Sequence, residues 1–216
     1  MSNITAANAD SRRKHIIAGL DIGTTKVVFV IGAKSSEGLE VIGVGNAPTN
    51  GMRQGAVVNI EAVSAAIKKA KEEAELMSGV DTSAVWLSVG GTHIESFDSN
   101  GMVAIKDSEV TRRDIDRVIE AAQAVAIPND REVLHVLPNF FVIDGQEGIS
   151  DPIGMAGVRL ETSVHIVTGS RSAIQNAIKC TESTGLNVKG VVLEQLASSI
   201  SVLREDDKNL GSCVVG

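Results

Sequence analysis

Gly19-Leu20-Asp21-Ile22-Gly23-Thr24-Thr25-Lys26 is the stretch whose reading decides this chain. The apolar run 16–20 leads into it, and Val27-Val28-Phe29-Val30-Ile31 leads out. Two β-rich runs around a short polar segment predict strand, tight turn, strand. The turn gathers a carboxylate, a glycine, two hydroxyls and an amine. Gly23 allows positive φ and lets a phosphate come close to the backbone. Successive amides of a tight turn form an anion-binding concavity. Thr24 and Thr25 add hydroxyl donors, and Lys26 adds a point charge for a β- or γ-phosphate. Asp21 offers an acceptor to a hydrated Mg²⁺, an ion that keeps several of its waters. A plain hairpin of common turn residues accounts for the same tetrapeptide, so the spacing alone leaves both readings open. The segment is not a Walker loop, since no Gly-x4-Gly-Lys-Ser/Thr occurs.

Working outward, residues 15–22, 26–33 and 39–46 read as three strands, with Lys34-Ser35-Ser36-Glu37-Gly38 as a hairpin connection. The first two are apolar on nearly every residue, which predicts burial on both faces of a helix-covered sheet. A helix over 59–78 follows. Asn59 caps it, Gly79 ends it, and Ile60, Val63, Ile67, Ala70, Ala74 and Met77 form its inner stripe. Strands are predicted over 84–89 and 102–105. Thr111 with Asp114 then resembles a capping box, and Val110 with Ile115 a hydrophobic staple. The helix they open buries Ile115, Val118, Ile119, Ala122 and Val125, and Pro128 stops it. Residues 132–136 and 139–143 read as extended, and a glycine-rich stretch runs from Gly145 to Gly157. A strand over 164–168, a helix over 171–184 and a strand over 188–193 come next. A helix with a small-residue face follows, over 194–203. Ser212-Cys213-Val214-Val215-Gly216 reads as the start of a further strand. A buried strand needs a continuation, so the sequence reads as the N-terminal part of a longer chain.

Bulk properties narrow the function. The 216 residues suffice for one or two domains. Only four Phe, one Trp and no Tyr are present, so the cores are aliphatic and base stacking on single-stranded nucleic acid is disfavoured. The net charge of −7 argues against nucleic acid in the same direction. Two cysteines, Cys180 and Cys213, make no disulfide framework and fit a reducing compartment. Residues 1–14 are polar, without a secretory apolar core, and read as a loose tail of a cytoplasmic protein. His15, His93, His135 and His165 show no metal-ligand spacing and read as structural or surface histidines. Glu194 sits where a strand meets a helix. It suits orientation of an attacking water, and suits equally a solvated first-turn position favoured by the helix dipole.

Gly19–Lys26 resembles the phosphate-1 loop of the superfamily that unites actin, the Hsp70 chaperones and the sugar kinases. Val191-Val192-Leu193-Glu194-Gln195-Leu196-Ala197-Ser198-Ser199 resembles its connect-1 segment. The middle of the chain is similar to one family in particular, the bacterial cell-division proteins FtsA. That similarity is carried by Asn100-Gly101-Met102-Val103, by Glu109-Val110-Thr111 with Asp114-Ile115, and by Leu134-His135-Val136-Leu137-Pro138 with Ile143-Asp144-Gly145. Asp151-Pro152-Ile153-Gly154-Met155-Ala156-Gly157-Val158-Arg159-Leu160 with Val164-His165 extends it, as does Gly51-Met52 with Gly55. It spans residue 15 to the end.

The resemblance implies an α/β, actin-like (ribonuclease H-like) subdomain 1A over 15–82 and 162–216, with mixed sheet and helices. It implies a small α+β subdomain 1C inserted over 83–161. It implies ATP with Mg²⁺ as cofactors, held in part by Asp21, Gly23, Thr24, Thr25 and Lys26. Asp21 would meet the metal through water, and Glu194 would orient a water in a structural protein with weak or absent ATPase. The phosphate-2, connect-2 and adenosine motifs of the family lie beyond Gly216, so weak ATP binding by these 216 residues is expected. The implied partners are FtsZ through a 2B subdomain, the FtsN cytoplasmic tail at 1A–1C, and further copies through 1C. A C-terminal amphipathic helix would add the inner membrane, at the cytoplasmic face of the division site. A basic peptide suits the negative charge. Two alternatives share the superfamily: a sugar-kinase-like phosphotransferase and a PilM-like pilus-assembly platform.

Overall fold

The computed structural model describes residues 15–213. The tail expected over 1–14 and the end of the strand expected over 212–216 lie outside the described residues. The chain divides into two compact units: the described residues up to Thr92 together with those from Ala173 on, and His93–Ser172.

The first unit holds β1 (His15–Ile22), β2 (Lys26–Ser35), β3 (Gly38–Pro48), a two-residue pair β4 (Met52–Arg53) and β5 (Ala56–Val57), α1 (Ile60–Ser78) and β6 (Ala84–Val89). The second holds β7 (Glu95–Ala104), α2 (Arg112–Gln123), β8 (Arg131–Ile143), β9 (Gln146–Ile149) and β10 (Arg159–Ser170). The chain returns through α3 (Arg171–Glu182) to β11 (Asn187–Leu193), α4 (Glu194–Val202) and α5 (Glu205–Leu210).

The first unit is built on a five-stranded sheet in the order β11-β6-β1-β2-β3. β1, β2 and β3 form an antiparallel meander, whereas β6 runs parallel to β1 and β11 parallel to β6. One face carries Leu20, Phe29, Ile31, Val85 and Leu87, all essentially buried. α1 lies on this face and contributes Val63, Ala66, Ile67, Ala70 and Ala74. Its approach is close enough that a Cβ on Gly45, the partner of Phe29, would overlap the Ala70 carbonyl oxygen. The start of α1 is as predicted: the Asn59 side chain accepts the Ala62 N–H at 3.0 Å, and Gly79 takes φ 69° at the other end. Ile60 and Met77 lie off the buried stripe. Met77 instead caps an edge, since the Val44 N–H points at its Sδ, and the neighbouring Asn46 N–H donates to Glu73 at 2.8 Å. Side chains from α1 thus blunt strand β3, the open edge of the sheet.

Burial on both faces, expected from the apolar runs, is corrected. On the second face Val28 and Val30 are only half-buried, and Val44 and Trp86 are exposed. α4 stands beside this face and covers part of it, which leaves a cleft.

The second unit is a four-stranded antiparallel sheet, β7-β10-β8-β9, with α2 on one face. Its core joins Val110, Ile115, Val118, Phe141, Ile143 and Leu160. The helix start rests on Asp114, which accepts the Thr111 hydroxyl at 2.6 Å and the Thr111 N–H at 3.0 Å. The helix ends at Ala124, before Pro128, so Val125 falls outside it. The two extended segments expected around Pro138 are one strand. Pro138 sits at a register shift opposite Val164, where a missing N–H breaks no ladder bond. Asp144 and Gly145, both at positive φ, make the two-residue turn from β8 to β9.

The boundaries expected for the inserted lobe, 83–161, shift by about ten residues at each end. β6 pairs with β1 and belongs to the first sheet. The strand expected over 164–168 lies within the second half of β10, which pairs with β7 over Arg159–Thr168 and with β8 over Leu160–Ser170.

Candidate functional site

The three parallel strands set the site. Asp21 is the penultimate residue of β1 and pairs in register with Ser88, the penultimate residue of β6. Glu194 follows directly on the last residue of β11 and opens α4. Three polar side chains therefore come from the carboxyl ends of three adjacent parallel strands. In open α/β sheets that is the edge where ligands bind.

The groups line one cleft of about 360 Å³. Asp21, Ser88, Glu194, Ser198 and Ser201 are its polar lining, and Val28, Val30, Trp86 and Val192 are apolar. Pairing places the strand residues in two rows: Val28-Asp21-Ser88-Val192, then Val30-Gly19-Trp86-Gly190. Trp86 lies over Gly190, where any side chain would collide with the indole. The volume and the mixed lining suit a small ligand with one charged end.

Electrostatics distinguish the two carboxylates. Ser88 donates its hydroxyl to Asp21 Oδ1. The Glu194 carboxyl is held above the usual glutamate range, first by burial and then by the negative charge of Asp21. Two carboxylates in one cleft, one disfavoured as an anion by the other, make a setting in which a divalent cation relieves the repulsion. Carboxylate oxygens are the donor type Mg²⁺ takes, and Asp21 and Glu194 are the two in the cleft; no cluster of three or more metal-ligating side chains occurs among the described residues.

The other residues predicted for the loop sit elsewhere. Thr24, Thr25 and Lys26 are exposed at the hairpin tip and do not line the cleft. The Gly23 amide is engaged, donating to the Lys26 carbonyl at 3.0 Å. Gly23 does not use the positive φ that glycine allows. The glycine serves a close approach instead, because a Cβ there would stand 3.0 Å from the Lys26 oxygen. Of the histidines, His165 pairs with Asp98 at 2.7 Å in the second unit. Sequence reasoning missed Ser88 and Trp86. Only the parallel pairing of β1 with β6 brings them to the site, and Ser88 carries no motif.

Comparison with known proteins follows this geometry. Residues 91–168 match the family described as the SHS2 domain inserted in FTSA, nearly the span of the second unit. The chain is 51% identical over 201 residues to the cell division protein FtsA of Pseudomonas aeruginosa, covering 93% of this chain and 48% of that protein. It is 45% identical over 205 residues to FtsA of Neisseria meningitidis serogroup B, covering 94% of this chain and 50% of that one. The chain belongs to the FtsA family.

FtsA of Escherichia coli (strain K12) is 40% identical over 203 residues, with 94% of this chain and 48% of that protein covered. The chain thus spans about half the length of the FtsA relatives it matches. Among solved structures, the PilM-PilN type IV pilus biogenesis complex superposes with a TM-score of 0.58 at 14% identity. That alignment covers 87% of this chain and 50% of the PilM-PilN one, and it shows the shared fold alone. The FtsA assignment agrees with the resemblance carried by the 100–165 segment, and the α/β architecture with the expected fold class. No helix among the described residues is long and apolar enough to cross a membrane.

Proposed function

We propose that the cleft is the phosphate-side half of a nucleotide site, and that the intact protein is an ATP-binding scaffold of the division ring. The observation that carries this is the convergence of Asp21 and Glu194 at the carboxyl ends of parallel strands, with Ser88 fixing Asp21. ATP brings its own Mg²⁺, which would supply the charge compensation that the two carboxylates lack. In this reading Asp21 would hold the hydrated metal through its waters, and Ser88 keeps the Asp21 carboxylate in place. Glu194, partly buried, would orient an attacking water. The exposed residues Thr24, Thr25 and Lys26 would supply hydroxyl and amine donors to the phosphates.

Family membership supports a wider role. The intact protein would tether the FtsZ ring to the cytoplasmic face of the inner membrane and respond to the FtsN tail. It would self-assemble through the 93–172 unit. The 216-residue chain, with a cleft open on one side, would bind MgATP more than tenfold more weakly than a protein of the relatives' length, a gap of at least about 1.4 kcal/mol.

Calorimetric titration of MgATP into the longer protein tests the nucleotide reading. Saturable, Mg²⁺-dependent heat that Asp21→Ala abolishes is expected. Equal affinity in the variant would remove the basis for it. ATP-dependent filaments on lipid vesicles, rather than turnover of small alcohol substrates, distinguish the scaffold from a sugar-kinase-like enzyme.

A further inference from the structure

The sharp turn that leaves β6 lies against Glu194. A Cβ built on Gly90 would fall well inside contact distance of Glu194 Oε2 and would also meet Glu194 Cβ at 3.3 Å and Cδ at 3.4 Å. All three nearest atoms belong to that one side chain. Ordinary carbon contacts sit at about 3.5–4.0 Å, so a methyl group and the carboxylate cannot both occupy this place.

Gly90 cannot retreat. A Cβ on Gly55, at φ +81°, would overlap the Gly90 carbonyl oxygen. A Cβ on Gly91, at φ +111°, would lie 2.6 Å from the Gln54 oxygen and from Gly55 Cα. Gln54 itself takes φ 53°, an uncommon conformation for a residue with a side chain, and its carbonyl accepts the Thr92 N–H at 3.4 Å. The 54–55 and 90–91 turns therefore cross with no slack. Glu194, at the far end of a flexible side chain, is the partner that can give.

We propose that Gly90 is a positioning residue for Glu194. Its bare Cα forms the notch that seats the Glu194 carboxylate beside Asp21, and the interlocked Gly55–Gly91 crossing holds that notch in place. A side chain at position 90 swings the carboxylate out while the sheet stays intact, so a residue larger than glycine is compatible here with a short side chain at 194. The inference deepens the nucleotide reading, because it says what places the water-orienting carboxylate. It is tested without any nucleotide, so the two can fail separately.

The experiment is a double-mutant cycle on the 216-residue chain with Gly90→Ala, Glu194→Ala and both together, read by thermal melting. Gly90→Ala is expected to lower Tm by about 2–4 °C. In the Glu194→Ala background the same methyl is expected to cost under about 1 °C, because it enters the space the carboxylate has left. The carbon-13 resonance of the Glu194 side-chain carboxyl, at fixed pH, is expected to move in Gly90→Ala, which a general loss of stability does not produce. An equal Tm loss in both backgrounds, or an unmoved Glu194 carboxyl resonance, overturns the proposal. Should Gly90→Ala not fold, folding of the double variant supports the proposal and failure of both refutes it. If the cycle closes as stated while Asp21→Ala leaves the MgATP affinity of the longer protein unchanged, the positioning role stands and the nucleotide reading falls.

Discussion

Replacing Glu194 by glutamine should stabilise the chain near neutral pH. The Glu194 carboxyl is raised above the ordinary range by burial, and next by Asp21. A carboxyl whose folded value exceeds its unfolded value, about 4.3 for glutamate, binds its proton more tightly in the fold. The stability this confers is complete at low pH and is lost as pH rises through the raised value. Glutamine carries no charge and keeps it. Glu194 is only half-buried, so water screens much of the repulsion from Asp21, and the gain should be about 0.5–1 kcal/mol. For a chain of this length that is roughly 1–4 °C in Tm. Thermal melts of both proteins at about pH 4 and about pH 7.5 give the assay, with the glutamate's ordinary value between them. The variant's advantage should open between the two pH values and shrink with added salt. A variant no more stable than the parent at the higher pH, or a difference unchanged between the two, would refute the reasoning.

Asp114 gives the opposite pH signature. Its carboxyl is held below the usual range by the hydroxyl and amide of Thr111 and then by Arg117, which donates to Asp114 at 2.9 Å. Asp114→Asn should therefore lower the stability of the 93–172 unit by about 1 kcal/mol at neutral pH. Urea melts should show the loss vanish as pH falls through the depressed value, where the parent carboxyl is also protonated. Ile67, fully buried on the inner face of α1, anchors the first unit. Ile67→Ala should cost about 2–5 kcal/mol and lower the urea midpoint, with the slope unchanged.

What was legible in the sequence was local. The Asn59 and Gly79 caps, the Thr111–Asp114 box and the Val110–Ile115 staple each involve residues within one turn of a helix end, and each stands where the pattern put it. The Asp21 hairpin was equally local, with β1 and β2 paired from His15–Lys34 through Ile22–Val27. The misses are non-local. The first half of β7, Glu95–Asn100, is polar on an edge strand, where no apolar alternation marks it. β8 was read as two segments, 132–136 and 139–143, because the register shift that makes them one strand depends on β10. The boundaries of the inserted unit failed for the same reason: β6 and β10 look alike as apolar strands, and only their partners assign them to different sheets. In the site, the carboxylates were readable from their motifs. Ser88 and Gly90 were not, because one is a strand serine chosen by register and the other a glycine whose need arises from a side chain 104 positions away.

Paramagnetic broadening is the most direct test of the central claim that Asp21 and Glu194 share a cleft for a metal-bound triphosphate. Mn²⁺ in place of Mg²⁺, added with ATP to the isotope-labelled 216-residue chain, broadens the amide signals nearest the metal even when binding is weak. The account predicts the strongest loss at Asp21, Ser88, Gly90 and Glu194, and the effect gone in Asp21→Ala. Broadening that centres on any other part of the chain, or that persists in the variant, would contradict it.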